Sequence, residues 1–177
     1  MRTAKLATSP VDTTTAPTMA PLLICIEGNI GVGKSTLLRA LRAAAADDRL
    51  VEGAIIKFVD EPVAQWDEAG LLAAMYDGRL SHVAFQLTAL ATRFHAISSA
   101  LSSDAHIVIA ERSLLSDRRV FAGTHLSDLD ATAYSLAHDA LSASLGAARQ
   151  ATVLLEAPVE MLQARIASRG RDAEKKS

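Results

Sequence analysis

The chain has 177 residues, half of them hydrophobic and 21% charged, which suffices for one domain with a full core. A formal net charge of −2 and an isoelectric point near 6.2 argue against a basic surface for nucleic acid and favour a small-molecule partner. No apolar run approaches the ~18 residues of a membrane span, and the lone cysteine, Cys25, excludes a disulfide within the chain and suits a reducing compartment.

Residues 1–20 are rich in Thr, Ala and Pro without a periodic apolar face, and read as a disordered tail. Arg2 and Lys5 precede the lone acid Asp12, a faint likeness to an organelle transit peptide. A plain tail and a cytoplasmic location are the expectation, with a mitochondrial one as the alternative. Residues 21–177 then read as one domain.

Leu22 to Ile26 is a short apolar run, expected as a buried parallel strand with Cys25 packed inside it. It leads into Gly28-Asn29-Ile30-Gly31-Val32-Gly33-Lys34-Ser35-Thr36, which fits the spacing of a phosphate-binding loop. Glycines there let successive N–H groups face an anion, and the following helix adds its positive end. Lys34 supplies a charge for the β/γ-phosphates, and Ser35 a hydroxyl ligand for Mg²⁺. The motif therefore predicts a nucleoside triphosphate site.

Further along, helices are expected at Thr36–Ala46, Trp66–Tyr76, Ser81–Leu101, Leu114–Phe121, Asp128–Leu145 and Pro158–Ser168, with Gly123-Thr124 breaking the fourth. Strands are expected at Ala54–Val59, Ala105–Ala110 and Ala151–Leu155. Alternating strands and helices predict an α/β fold of the P-loop kind, a parallel sheet with helices on both faces.

Strand ends then bring polar groups to one edge: the loop, Glu61 before Pro62, Glu111-Arg112, and Glu156. Phosphoryl transfer to an alcohol needs a carboxylate to take a proton and cations to meet developing charge. Glu61 suits the first role, against the alternative of a solvated loop carboxylate. Lys34, Arg112 and Mg²⁺ suit the second, and Glu156 reads as structural. Gln86 and Arg93 lie seven apart on one helix face, as either a base-recognising pair or a solvated stripe. Asp117 and Phe121 carry a similar ambiguity, Phe121 alone reading as core. Arg165, Arg169 and Arg171 either answer a helix dipole or form a lid over a triphosphate. The five histidines lack metal-ligand spacing and read as structural or surface.

Taken together, IEGNIGVGKST, EPVAQW, the Phe85-Gln86 pair with Arg93, ERSLLSDRRVF and RIASRGR resemble the deoxyribonucleoside kinases, in their order and spacing, over roughly residues 22–174. The likeness is to the deoxycytidine and deoxyguanosine kinase branch. It implies transfer of the ATP γ-phosphate to a deoxynucleoside 5′-hydroxyl, with Glu61 as general base and Glu111 and Arg112 serving Mg²⁺ and the 5′ end. It implies further that Trp66 lines the nucleoside pocket with Phe85 nearby, Gln86 holds the base and Phe121 stacks on it. By the same likeness Tyr76 serves the sugar, Glu174 reaches its 3′-hydroxyl, and Arg165, Arg169 and Arg171 are lid arginines. An Arg93–Asp117 couple over the base edge implies deoxycytidine, deoxyadenosine or deoxyguanosine over thymidine, because an ionised Asp only accepts hydrogen bonds. A homodimer is expected by likeness.

Two departures stand out. The segment Met75–Gln86 is about a residue shorter than the family pattern and lacks its proline and tryptophan. The chain also stops at Ser177, inside the lid, so the C-terminal part of the family fold is expected to be missing. The rival expectations are a nucleoside monophosphate kinase akin to thymidylate kinase, and a nucleotide-binding protein without catalysis.

Overall fold

The computed structural model describes residues 20–47, 50–123, 126–145 and 148–169, without the side chains of Phe121 and Arg169. Four parallel strands lie in the order β2 (Ile56–Val59), β3 (Ile107–Glu111), β1 (Leu22–Gly28), β4 (Arg149–Leu155). The apolar run of β1 earns it a central place, because a parallel strand covered on both faces must be hydrophobic on both. Alternate residues divide between the faces. Leu23, Cys25, Val108 and Ala110 pack with Ile97 of α4 (His82–Leu101). Ile26 and Ile109 pack with Leu38 of α1 (Lys34–Ala46) on the other face. Leu38 and Ile97 are almost wholly buried, at 0% and 1% exposure, each stabilising the fold by about 1.5–3 kcal/mol.

The register aligns the carboxyl ends of the strands. Ile26 pairs with Glu111, Val59 with Ala110 and Gly28 with Leu155. The phosphate loop, Glu61 and Arg112 therefore leave the sheet along one edge, as expected from the sequence. The parallel α/β architecture is likewise as expected.

Helix α4 is apolar around most of its circumference because it serves three neighbours. Ile97 faces the sheet; Phe85 and Ala89 face α2 (Val63–Glu68) and α3 (Leu71–Tyr76); Leu90 faces Leu114 and Tyr134. Ser81 caps its start, its hydroxyl accepting the Ala84 N–H at 3.3 Å.

Two expected elements differ. Trp66–Tyr76 is two helices, because the chain passes through Gly70 at φ +70°, a left-handed residue that ends the helical run. Leu114–Phe121 is one α-helical turn, α5 (Leu114–Ser116), that widens into a π-helix at Asp117–Ala122. The π-helix ends at Ala122 with Gly123 as its C-cap at φ −64°, and Thr124 of the expected break lies outside the described residues. The last helices are α6 (Asp128–Ser144) and α7 (Val159–Arg169). Among the described residues no helix is long and apolar enough to cross a membrane.

Candidate active site

The phosphate end is built from consecutive backbone. Gly28 has φ +138°, and a Cβ there would sit 2.5 Å from the Leu155 carbonyl oxygen, so only glycine fits between β1 and β4. Gly33 caps α1 in the left-handed region at φ +111°. Helix α7 lies against the loop, with the Leu162 carbonyl 3.1 Å from where a Gly31 Cβ would be. Arg165 Nη1 donates to the carbonyls of Gly31 and Val32, at 3.2 and 3.1 Å. The Arg165 expected over a triphosphate thus braces the loop itself.

Lys34 is buried, and its Nζ donates to the carbonyls of Gly28 and Asn29, both at 3.0 Å. Burial lowers its pKa, and the Arg112 charge adds to that, against a pull upward from Glu111, Glu61 and Glu27. Ser35 Oγ donates to Glu111 Oε1 at 3.1 Å. Burial raises the Glu111 pKa, offset in part by the Ser35 hydrogen bond. The two residues expected to serve Mg²⁺ therefore meet beside the loop. A hydroxyl and a carboxylate are the hard oxygen donors that cation prefers.

The acceptor end is assembled from separate elements. Arg93 is 2% exposed, and its Nη2 donates to Glu61 Oε1 at 2.7 Å. Its Nη1 forms an ion pair with Asp117 Oδ2. Arg112 Nε lies 3.3 Å from the same Glu61 oxygen. One buried guanidinium thus joins the candidate base to the candidate base-reading residue, 56 positions along the chain. Burial alone would lower the Arg93 pKa, but Asp117 and Glu61 outweigh it and raise it, so the guanidinium stays charged. Burial raises the Asp117 pKa, and Arg93 offsets that only in part.

Around this network, Trp66 Nε1 donates to Thr92 Oγ1 at 3.0 Å, and the Trp66 ring meets Phe85 edge to face at 5.5 Å. The Arg93 guanidinium lies 5.6 Å over Trp66. Gln86, 5% exposed, is on the same helix as Arg93. The solvated-stripe reading of that pair is therefore excluded. Tyr76, at the end of α3, is 38% exposed, and Glu156 is exposed. The side chains of Phe121 and Arg169, and Arg171 and Glu174 entirely, lie outside the described residues. A separate apolar hollow of about 370 Å³ between α1 and the sheet is lined by aliphatic side chains including Ile26, Leu41 and Val153, and shares no residue with this site.

Three features were not read from the sequence. Glu61 as a partner of Arg93 has no local signal, since only the fold brings β2 beside α4. Glu27 holds Ser113, its Oε1 accepting the Ser113 N–H at 2.7 Å and the Ser113 hydroxyl at 2.6 Å. A carboxylate directly after an apolar strand was the available hint. Tyr134 and His138 on α6 are buried, and His138 Nε2 lies 3.1 Å from the Leu114 carbonyl oxygen. Their i, i+4 spacing on an alanine-rich helix was the signal.

The loop, the paired Ser35 and Glu111, and Glu61 beside Arg112 on the same sheet edge define the class: an α/β protein with a P-loop site. The chain belongs to the deoxynucleoside kinase family, whose model matches residues 24–177. It is 36% identical over 107 aligned positions to a probable deoxycytidine kinase of fowlpox virus, covering 60% of this chain. It is 31% identical over 182 positions to a mitochondrial deoxyguanosine kinase of Xenopus laevis and 30% over 183 to a deoxycytidine kinase of Rattus norvegicus, covering 86% and 85% of this chain. The chain spans 41%, 65% and 67% of those relatives' own lengths.

Proposed function

We propose that residues 21–177 form a deoxynucleoside kinase unit that transfers the γ-phosphoryl group of ATP to the 5′-hydroxyl of a deoxynucleoside. The observation that carries this reading is Glu61. It stands at the loop edge of the sheet, gripped by Arg93 at 2.7 Å and flanked by Arg112 at 3.3 Å. Glu61 takes the 5′-hydroxyl proton as the oxygen attacks the γ-phosphorus and the bond to the ADP oxygen breaks. Lys34 exchanges its two loop carbonyls for phosphate oxygens, and Arg112 meets the charge that develops on the transferred group. Ser35 and Glu111 would hold Mg²⁺, which when bound would neutralise phosphate charge.

The base is held by Gln86 and read by Asp117, with Trp66 as a wall. An ionised Asp117, held by Arg93, favours a base offering an amino donor, so deoxycytidine, deoxyadenosine and deoxyguanosine are preferred over thymidine, whose carbonyl would meet the carboxylate acceptor to acceptor. The relatives named for deoxycytidine and deoxyguanosine support that preference, while a thymidine kinase of Ictalurid herpesvirus 1, 49% identical over 45 positions, does not. A homodimer through helices beside the sheet fits α6, which leaves Leu129 and Leu136 exposed at helical spacing. The cytoplasm is the proposed location, with the mitochondrion as the alternative.

The test is an acceptor panel of four deoxynucleosides and their monophosphates with ATP and Mg²⁺. Product from an amino-bearing deoxynucleoside supports the reading; product from monophosphates alone overturns it in favour of a monophosphate kinase, and binding without product in favour of a silent binder. Glu61→Gln is expected to lower kcat by about 10²–10⁴-fold while nucleoside binding persists. Unchanged turnover would remove Glu61 from the role of base.

A further inference from the structure

Glu27 precedes the phosphate loop and takes no part in the chemistry above, yet it makes two of the shortest side-chain hydrogen bonds among the described residues. Its Oε1 accepts both the N–H and the hydroxyl of Ser113, at 2.7 and 2.6 Å. The residue before each partner is joined as well, since the Arg112 N–H donates to the Ile26 carbonyl at 3.0 Å. The end of β1 thus grips the end of β3 at two successive positions.

What lies between those grips is unusual. Arg112 has φ +70°, and it is the single non-glycine residue with positive φ among those described. Such a conformation in a residue with a Cβ persists only where surrounding contacts over-determine it. Here one contact lies at Arg112 itself and two at Ser113. On the far side, Ser113 Oγ accepts the Ser116 N–H at 3.2 Å and so starts the turn that runs directly into Asp117.

We propose that Glu27 is a positioning residue that sets Arg112 and Asp117 together from the phosphate loop's own strand. By fixing Ser113 it keeps Arg112 in the left-handed conformation, which aims the guanidinium at Glu61. By the same bond it fixes the first residue of the helix that delivers Asp117 to Arg93. The carboxylate acts through Ser113 and touches no substrate. Glu27 and Gly28 are adjacent, so the strand that shapes the phosphate loop also registers the acceptor end against it.

The proposal rests on the phosphotransfer reading, and its test carries a readout independent of activity. Glu27→Ala, Glu27→Gln and Ser113→Ala are compared with wild type for kcat and for KM of both substrates, alongside crystal structures of wild type and Glu27→Ala. Misplacing a catalytic group by about 1 Å costs on the order of 10²-fold, so Glu27→Ala is expected to lower kcat by about 10–100-fold with the KM for ATP little changed. Glu27→Gln, whose amide oxygen still accepts both hydrogens, recovers most of the loss. Adding Ser113→Ala to Glu27→Ala costs little more, because both act through one link. Arg112 in Glu27→Ala is expected to leave positive φ.

A kcat within twofold of wild type in Glu27→Ala overturns the proposal, as does a Glu27→Gln as impaired as the alanine variant. An Arg112 that keeps its φ overturns it too, and that result stands even if wild type transfers no phosphoryl group, which would sink the phosphotransfer reading separately. If Glu27→Ala does not fold, Ser113→Ala decides: it keeps the N–H bond and loses the hydroxyl bond, and an undiminished kcat overturns the proposal.

Discussion

At the phosphate end, residues 28–36 are consecutive, and backbone does the holding: glycine conformations, carbonyls on Lys34, and α7 braced by Arg165. At the acceptor end, Glu61, Trp66, Arg93, Arg112 and Asp117 come from different elements, and side-chain charge does the holding. The two ends therefore fail differently. The loop's shape depends on backbone freedom, while Lys34 and Ser35 bring the side chains it works with. In the acceptor network, loss of either Arg93 or Asp117 leaves the other buried without its ion-pair partner.

The largest expected effect breaks the acceptor end. Arg93→Ala leaves Asp117, at 2% exposure, without its ion-pair partner, while Glu61 keeps only Arg112. Removing one partner of a buried pair costs about 3–5 kcal/mol, so urea denaturation should show a loss of that size. Removing both sides of the pair is milder. Arg93→Met with Asp117→Ala should recover much of the stability, because two apolar groups replace a buried ion pair. The same double variant should admit thymidine, and continued exclusion of thymidine would place base selection elsewhere.

A smaller effect separates two kinds of strain at the loop. Gly28→Ala and Gly33→Ala both force a Cβ onto a positive-φ residue, at φ +138° and +111°, which costs of order 1–3 kcal/mol. Only Gly28→Ala also drives that Cβ to 2.5 Å from the Leu155 carbonyl oxygen, whereas nothing lies within 4 Å of the Gly33 position. Gly28→Ala should therefore destabilise more, by the cost of parting β1 from β4. Equal losses by thermal melting would show that conformation alone matters at both positions.

That contrast also explains what was legible in the sequence. The loop could be read because its function depends on residues adjacent in the chain and on glycines whose spacing is itself the signal. Glu61 and Arg112 could be placed at the edge because a strand followed by a polar residue ends there in a parallel sheet. The contact of Arg93 with Glu61 could not, because it depends on how α4 crosses the sheet. The π-helix at Asp117–Ala122 could not either, since a wider hydrogen-bond register has no composition of its own. Helix and strand ends shifted by up to three residues, as with α2 beginning at Val63 rather than Trp66 and β4 at Arg149 rather than Ala151.

The smallest effect concerns the strand that joins the two ends, and it vanishes at neutral pH. Cys25 lies in the middle of β1 at 2% exposure. Burial, with the nearby Glu27 charge adding to it, pushes its thiol from 9.0 up to about 12. Below about pH 8 the thiol stays almost wholly protonated in folded and unfolded chains alike, so it contributes little pH dependence there. Between pH 9 and about 12 the unfolded chain ionises while the folded one keeps its proton, and stability falls as pH rises. Cys25→Ala removes that titration, although it adds a constant cost for the lost sulfur. Denaturation midpoints measured from pH 8 to 11 should therefore fall more steeply for wild type than for Cys25→Ala. Parallel slopes would mean that the thiol ionises as readily in the folded protein as in the unfolded chain, and that the core behind the phosphate loop is wetter than its packing implies.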